Sequence, residues 1–128
     1  MNLKDVEALA LELMDRHGLI ADGWNFEFFT YPNSCAGRAE WRHNDIYGDN
    51  PTVEKCLGLN SDHMTINDEP EVREVILHEI THALLPHTAT INNAPKNHGY
   101  EFKQLAKRLG ATGLSCCPPN FKRAKNNS

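Results

Sequence analysis

Two fragments carry the residues most capable of chemistry: LHEITH at 77–82 and HGYEF at 98–102. On an α-helix, side chains four apart stand one turn above each other, with Cβ atoms roughly 5–6 Å apart. His78 and His82 have that spacing, so their imidazoles can converge on one ion at about 2.0–2.1 Å, the Zn–N distance. Glu79 projects beside them, where a carboxylate can take a proton from water whose pKa a zinc ion has lowered to about 7. The HExxH pattern thus supplies two ligands and a general base within one short stretch of helix. The competing reading is a pair of helix-edge histidines hydrogen-bonded to their neighbours. A helix predicted independently of the motif, and further ligands downstream, favour the metal.

A catalytic zinc usually takes three protein ligands and keeps one position for water. The HExxHxxGxxH pattern is excluded, because positions 85 and 88 are Leu and Thr. His87 follows Pro86 and falls outside the helix. Glu101 and His98 remain, three residues apart. They would share a helical face, so spacing alone admits either as the ligand with the other supporting it.

These residues need elements to hold them. The first helix is expected from Leu3 to His17, with Asn2 as its cap, Val6, Leu9, Leu13 and Met14 on one face, and Gly18 as its stop. WNFEFFT (24–30) alternates Trp24, Phe26 and Phe28 to one side as a half-buried strand does. These aromatics, with Trp41, could stack bases, but alternating aromatics on a sheet more often form core. AGRAEWRH (36–43) and VEKCLGLN (53–60) supply two further strands, giving an antiparallel sheet of about three. The motif helix begins after Asp68, which with Glu71 forms a capping box, and it ends at Pro86. Its apolar stripe is Val72, Ile76, Ile80 and Ala83. The loop 87–99 leads to a last helix from Tyr100 to Leu109, with Phe102, Leu105, Ala106 and Leu109 facing inward. His17, His43 and His63 are expected to face solvent or cap helices. Arg38 and Arg42 are expected on the surface, with a basic edge near the cleft as the alternative.

The chain of 128 residues is the length of one domain. No apolar run is long enough to span a membrane, and the start mixes charge into its apolar positions, unlike a signal peptide. A cytoplasmic protein is therefore expected, and a monomer is taken as its state. Cys35, Cys56, Cys116 and Cys117 form no CxxC pair, so buried thiols are expected rather than a zinc ribbon. Net charge is −4 but unevenly spread: residues 1–95 carry −10 and residues 96–128 carry +6. A basic third of this kind is either a solvated tail or a surface for a polyanion. Lys122, Arg123 and Lys125 are its candidate nucleic-acid contacts.

HEITHALL followed by HGYEFKQLAKRLG is similar to the SprT-like family of zinc metalloproteases, which includes Spartan. CAG at 35–37 and CLGLN at 56–60 also resemble that family's pattern before its active-site helix. The resemblance covers roughly residues 3–115, and its two active-site elements together are specific. It implies that His78, His82 and His98 bind Zn2+, that Glu79 is the catalytic base, and that Glu101 supports the site or lies on a helix face. The fold expected is α+β, a minimal zincin at 1–115; beyond it the residues themselves mark 116–128 as a basic, partly disordered extension. The implied activity is hydrolysis of peptide bonds in protein substrates, among them DNA-bound or DNA-crosslinked proteins, with DNA as activator or scaffold. The alternative is a zinc-stabilised nucleic-acid-binding or adaptor domain with little peptidase activity.

Overall fold

The computed structural model describes residues 1–86, 98–112 and 118–125. The chain runs α1 (Leu3–Arg16), β1 (Asn25–Phe29), β2 (Gly37–Asn44), β3 (Thr52–Asn60), α2 (Ser61–Met64), α3 (Glu69–Leu84) and α4 (Tyr100–Arg108), an α+β fold. Among the described residues no helix is long and apolar enough to cross a membrane.

α1 starts where expected. The Asn2 side chain accepts a hydrogen bond from the Asp5 backbone N–H at 2.8 Å, satisfying one orphan donor of the first turn. Its buried face is Val6, Leu9, Ala10, Leu13 and Met14. Gly18, at φ +84°, takes the left-handed conformation that turns the chain away.

The sheet has three strands in the order β1-β3-β2, and it is mixed rather than antiparallel throughout. β2 and β3 form the expected antiparallel pair, whereas β1 runs parallel to β3. Cys56 to Asn60 of β3 are buried without a break, and a strand covered on both faces belongs in the centre of a sheet. β2 takes one side of it, so β1 must take the other. The direction of β1 follows from where α1 delivers the chain: Trp24 N–H donates to Leu19 O at 3.0 Å just before the strand. Alternating aromatics specify a strand and its buried face but not its direction.

Because side chains alternate across a strand, the register divides the sheet into two unlike faces. The inner face carries Phe26, Phe28, Ala39, Leu57 and Leu59, with Trp24 edge-on to Trp41 at 5.0 Å. The aromatics are therefore core. The outer face carries Glu27, Phe29, Arg38, Glu40, Arg42 and Cys56. Arg42 pairs with Glu27 at 2.5 Å, Arg38 pairs with Glu27 and Glu40, and the Arg38 guanidinium stacks over Phe29 at 4.0 Å. These arginines belong to an ion-pair cluster on the face away from α3, not to a basic edge at the cleft. Cys56 donates from Sγ to Glu27 Oε1 at 2.8 Å. Burial, together with the bond to Glu27 and its charge, pushes the Cys56 thiol up to about 12, which leaves it protonated and unreactive at neutral pH.

One short helix was not foreseen. Asn60 caps α2 by accepting from the N–H groups of Asp62 and His63 at 3.0 and 3.3 Å. This buries His63 completely, in contrast to the solvent-facing position expected for it. Its Nδ1 accepts from Ala124 N–H at 2.8 Å, so Nε2 carries the proton and donates to Asn33 O at 2.6 Å. Asn67 grips the same C-terminal segment from both sides: its Nδ2 donates to Lys122 O and its Oδ1 accepts from Lys122 N–H, at 2.7 and 2.8 Å. Arg123 donates to Ser34 O at 2.7 Å. Residues 118–125 thus lie as a strap over α2 and the loop before β2. A hydrogen bond of this kind is worth about 1 kcal/mol, roughly a fivefold change in local opening. His63→Ala and Asn67→Ala should therefore each accelerate amide hydrogen exchange at Lys122 and Ala124 by roughly fivefold or more, and exchange unchanged from wild type would show that the strap is held by something else.

Candidate metal centre

α3 is the element on which the site is built. Asp68 is its N-cap but makes no side-chain capping bond, so the expected capping box is not formed. The start is secured instead by Val72 N–H donating to Asp68 O at 3.0 Å. Pro70 has no N–H to satisfy there, and the carboxylates of Asp68, Glu69 and Glu71 suit the positive end of the helix. Val72, Val75, Ile76, Leu77, Ile80 and Ala83 are all buried, which seats α3 against the sheet and α1. Pro86 disfavours helical backbone at the residue before it, and Leu85 leaves the helix at φ −123°, ψ 78°.

His78 and His82 lie one turn apart at the edge of this buried stripe, with ring centroids 4.9 Å apart. His98, immediately before the N-cap Gly99 of α4, completes the group. His98 Nε2 lies 3.0 Å from His82 Nε2 and 3.2 Å from His78 Nε2. Ligands bound to one tetrahedral zinc at about 2.05 Å stand roughly 3.3 Å from each other. His98 Nε2 therefore stands from each of the other two nitrogens at nearly the spacing that a shared ion imposes, all three ligand atoms lie within 4.8 Å of one another, and the donor set, all imidazole, suits zinc. His82 is fully buried while His78 and His98 keep some exposure, so the point of convergence sits at the rim of the core.

Phe102 holds the arrangement together. Its fully buried ring touches all three imidazoles, with centroids 4.9, 4.5 and 4.9 Å from His78, His82 and His98. It belongs to the same first turn of α4 that follows His98, so docking Phe102 onto α3 also delivers the third histidine. The sequence marks Phe102 as core, and as the last letter of HGYEF, without revealing that it supports every ring of the triad.

Glu79 is 3% exposed and faces the start of β2 rather than solvent. Glu101 is exposed in the first turn of α4 and does not join the histidine group. Between the two third-ligand candidates, tertiary structure brings only His98 to the convergence point. Tyr100, beside it, is 80% exposed. Lys122, Arg123 and Lys125 are exposed on the strap and none joins the triad. His87 and the other residues to 97, with Cys116 and Cys117, lie outside the described residues.

A family model described as the SprT-like family matches residues 10–123. No curated protein and no solved structure matches the chain.

The geometry separates the candidate ligands experimentally. His98→Ala should strip most zinc from purified protein, whereas Glu101→Ala should leave it near one ion per chain, both by metal analysis. In the same measurement Phe102→Ala should weaken zinc retention and cost about 3–5 kcal/mol of stability, the usual range for a buried phenylalanine. The ligand assignment is wrong if Glu101→Ala loses the metal and His98→Ala does not.

Proposed function

The chain belongs to the SprT-like family, and from that premise and the histidine triad we propose that it is a zinc-dependent endopeptidase. The observation that carries the reading is the convergence of three imidazoles, with His98 Nε2 at 3.0 and 3.2 Å from the Nε2 atoms of His82 and His78, on a helix that also buries Glu79. His78, His82 and His98 would hold the ion. When bound, zinc supplies a Lewis acid that polarises the scissile carbonyl and lowers the pKa of the attacking water. Glu79 would accept the proton of the attacking water at its carboxylate and pass it to the departing amine. Burial against β2 keeps Glu79 in one place for both transfers. Among the described residues the ligand group numbers three, the set that leaves a position for water.

Proteins bound or crosslinked to DNA are the proposed substrates, reached in the cytoplasm by a monomeric enzyme. Support for a nucleic-acid contact comes from charge: the last third of the chain is strongly basic while the rest is acidic. Lys122, Arg123 and Lys125 extend from a strap whose backbone is already fixed, which lowers the ordering cost of a contact there. The same charge supports the second reading, a zinc-stabilised nucleic-acid-binding domain. A structural zinc site has no use for a base, and a carboxylate kept at 3% exposure on the helix that carries His78 and His82 favours the enzyme.

Two experiments decide between these readings. Glu79→Gln preserves side-chain size, so zinc content and thermal unfolding should match wild type while cleavage falls by about 10²–10⁴-fold, the usual general-base contribution. Full activity in a zinc-loaded Glu79→Gln protein would remove this mechanism. For the nucleic-acid contact, the triple change Lys122→Ala, Arg123→Ala, Lys125→Ala should weaken binding to single-stranded DNA and flatten its salt dependence, because fewer counterions are released. Equal affinity and equal salt slope in wild type and triple variant would place any DNA contact elsewhere.

A further inference from the structure

Two kinds of glycine stand out among the described residues. Gly18, Gly23 and Gly110 have positive φ and open space where a side chain would be, so they serve the backbone. Gly37, the first residue of β2, is the reverse. Its φ lies outside the left-handed region, but a Cβ built on it would lie 2.9 Å from Glu79 Cγ, 3.1 Å from Val75 Cγ1 and 3.3 Å from Glu79 Oε2. Carbon atoms in comfortable contact stand about 3.5–4.0 Å apart. Glycine is needed here for room, and the group occupying that room is the side chain of Glu79.

The register supports this. Gly37 pairs with Leu59 and so faces inward, toward α3. The backbone around it is pinned: Asn60 N–H donates to Ala36 O at 2.9 Å, and Asn60 Nδ2 donates to Cys35 O at 3.1 Å. Asn60 is itself fully buried and caps α2. A rigid stretch of strand backbone without a side chain therefore forms the wall along which Glu79 lies. A carboxylate is almost never buried to this extent unless its surroundings accommodate it, and that wall limits where its oxygens can go.

We propose that Gly37 is a positioning residue for Glu79: its missing side chain, on a strand end anchored by Asn60, forms the slot that fixes where the Glu79 carboxylate lies. The inference rests on the peptidase reading for its functional consequence, while the slot itself is a packing statement that can be tested without activity.

The test is a double-mutant cycle of wild type, Gly37→Ala, Glu79→Ala and the double variant, with thermal unfolding, zinc content, kcat and KM measured on each preparation. Gly37→Ala should keep about one zinc per chain, since the three atoms nearest the added methyl belong to Glu79 and Val75 and not to a histidine of the triad. Its kcat should fall by about 10²-fold, the cost of displacing a reacting group by about 1 Å, with KM changed by less than about threefold. A general loss of folded protein would not split kcat from KM in this way. Unfolding should show coupling: Gly37→Ala lowers Tm clearly in wild type and much less in the Glu79→Ala background, where Cγ and the carboxylate are gone. Should Gly37→Ala alone fail to fold while the double variant folds, the coupling is established in its strongest form. Additive unfolding shifts, failure of both variants to fold, or wild-type kcat in zinc-loaded Gly37→Ala would each overturn the proposal. If the wild type cleaves no protein, the peptidase reading falls, and the unfolding cycle still decides whether Gly37 makes the slot.

Discussion

Three imidazole nitrogens must meet within a few ångströms, and they come from two segments of the chain. Two stand one turn apart on α3, which a single helix provides by itself. The third, His98, stands just before α4, and the docking of α4 on α3 brings it into place. Phe102 performs that docking with its ring against all three histidines. The same contact that buries an aromatic side chain therefore assembles the histidine triad. Folding energy and site geometry are joined at one residue, which ties the precision of the triad to the hydrophobic core.

The sheet serves the site from the other side of α3. Its inner face gives the helix an apolar surface, and at the end of β2 it gives Glu79 a place to lie. Its outer face follows different physics. Charged side chains of both signs interlock there, with Arg38 and Arg42 against Glu27 and Glu40, and Cys56 hydrogen-bonded beneath them. These groups are a quarter to a third exposed, so water screens them and they contribute modestly to stability. They keep a hydrogen-bonded, partly buried surface polar, which discourages sheet-to-sheet association. Gly58 contributes by leaving room for Phe29 and the Arg38 stem to lie flat across β3.

Asn60 links these parts. One buried side chain ends the central strand, caps α2, and holds the backbone just before β2. Next to it, His63 and Asn67 bind the strap that carries the cationic residues of the C-terminal third. A polar core of this kind is costly unless each group finds a partner, and here Asn60, His63 and Asn67 all do. The basic segment is thus fastened to the loop leading into the strand that backs Glu79.

Much of this was legible in the amino acids because it is local. HExxH encodes its own geometry once helical, and the helix is encoded by Val72, Ile76, Ile80 and Ala83 at the right period. Asn2 and Gly18 mark the ends of α1 through backbone hydrogen bonding and left-handed conformation, which depend only on neighbouring residues. What sequence could not settle depends on contacts between distant segments. Spacing left His98 and Glu101 equal, and the docking of α4 separated them by turning one inward and the other to solvent. Alternation showed that β1 is a strand, but its direction depended on where α1 left the chain. His63 resembled a surface histidine until the strap returned to cover it. Gly37 offered no local sign of its role, since the need for empty space at a glycine is set by the side chain that approaches from another element.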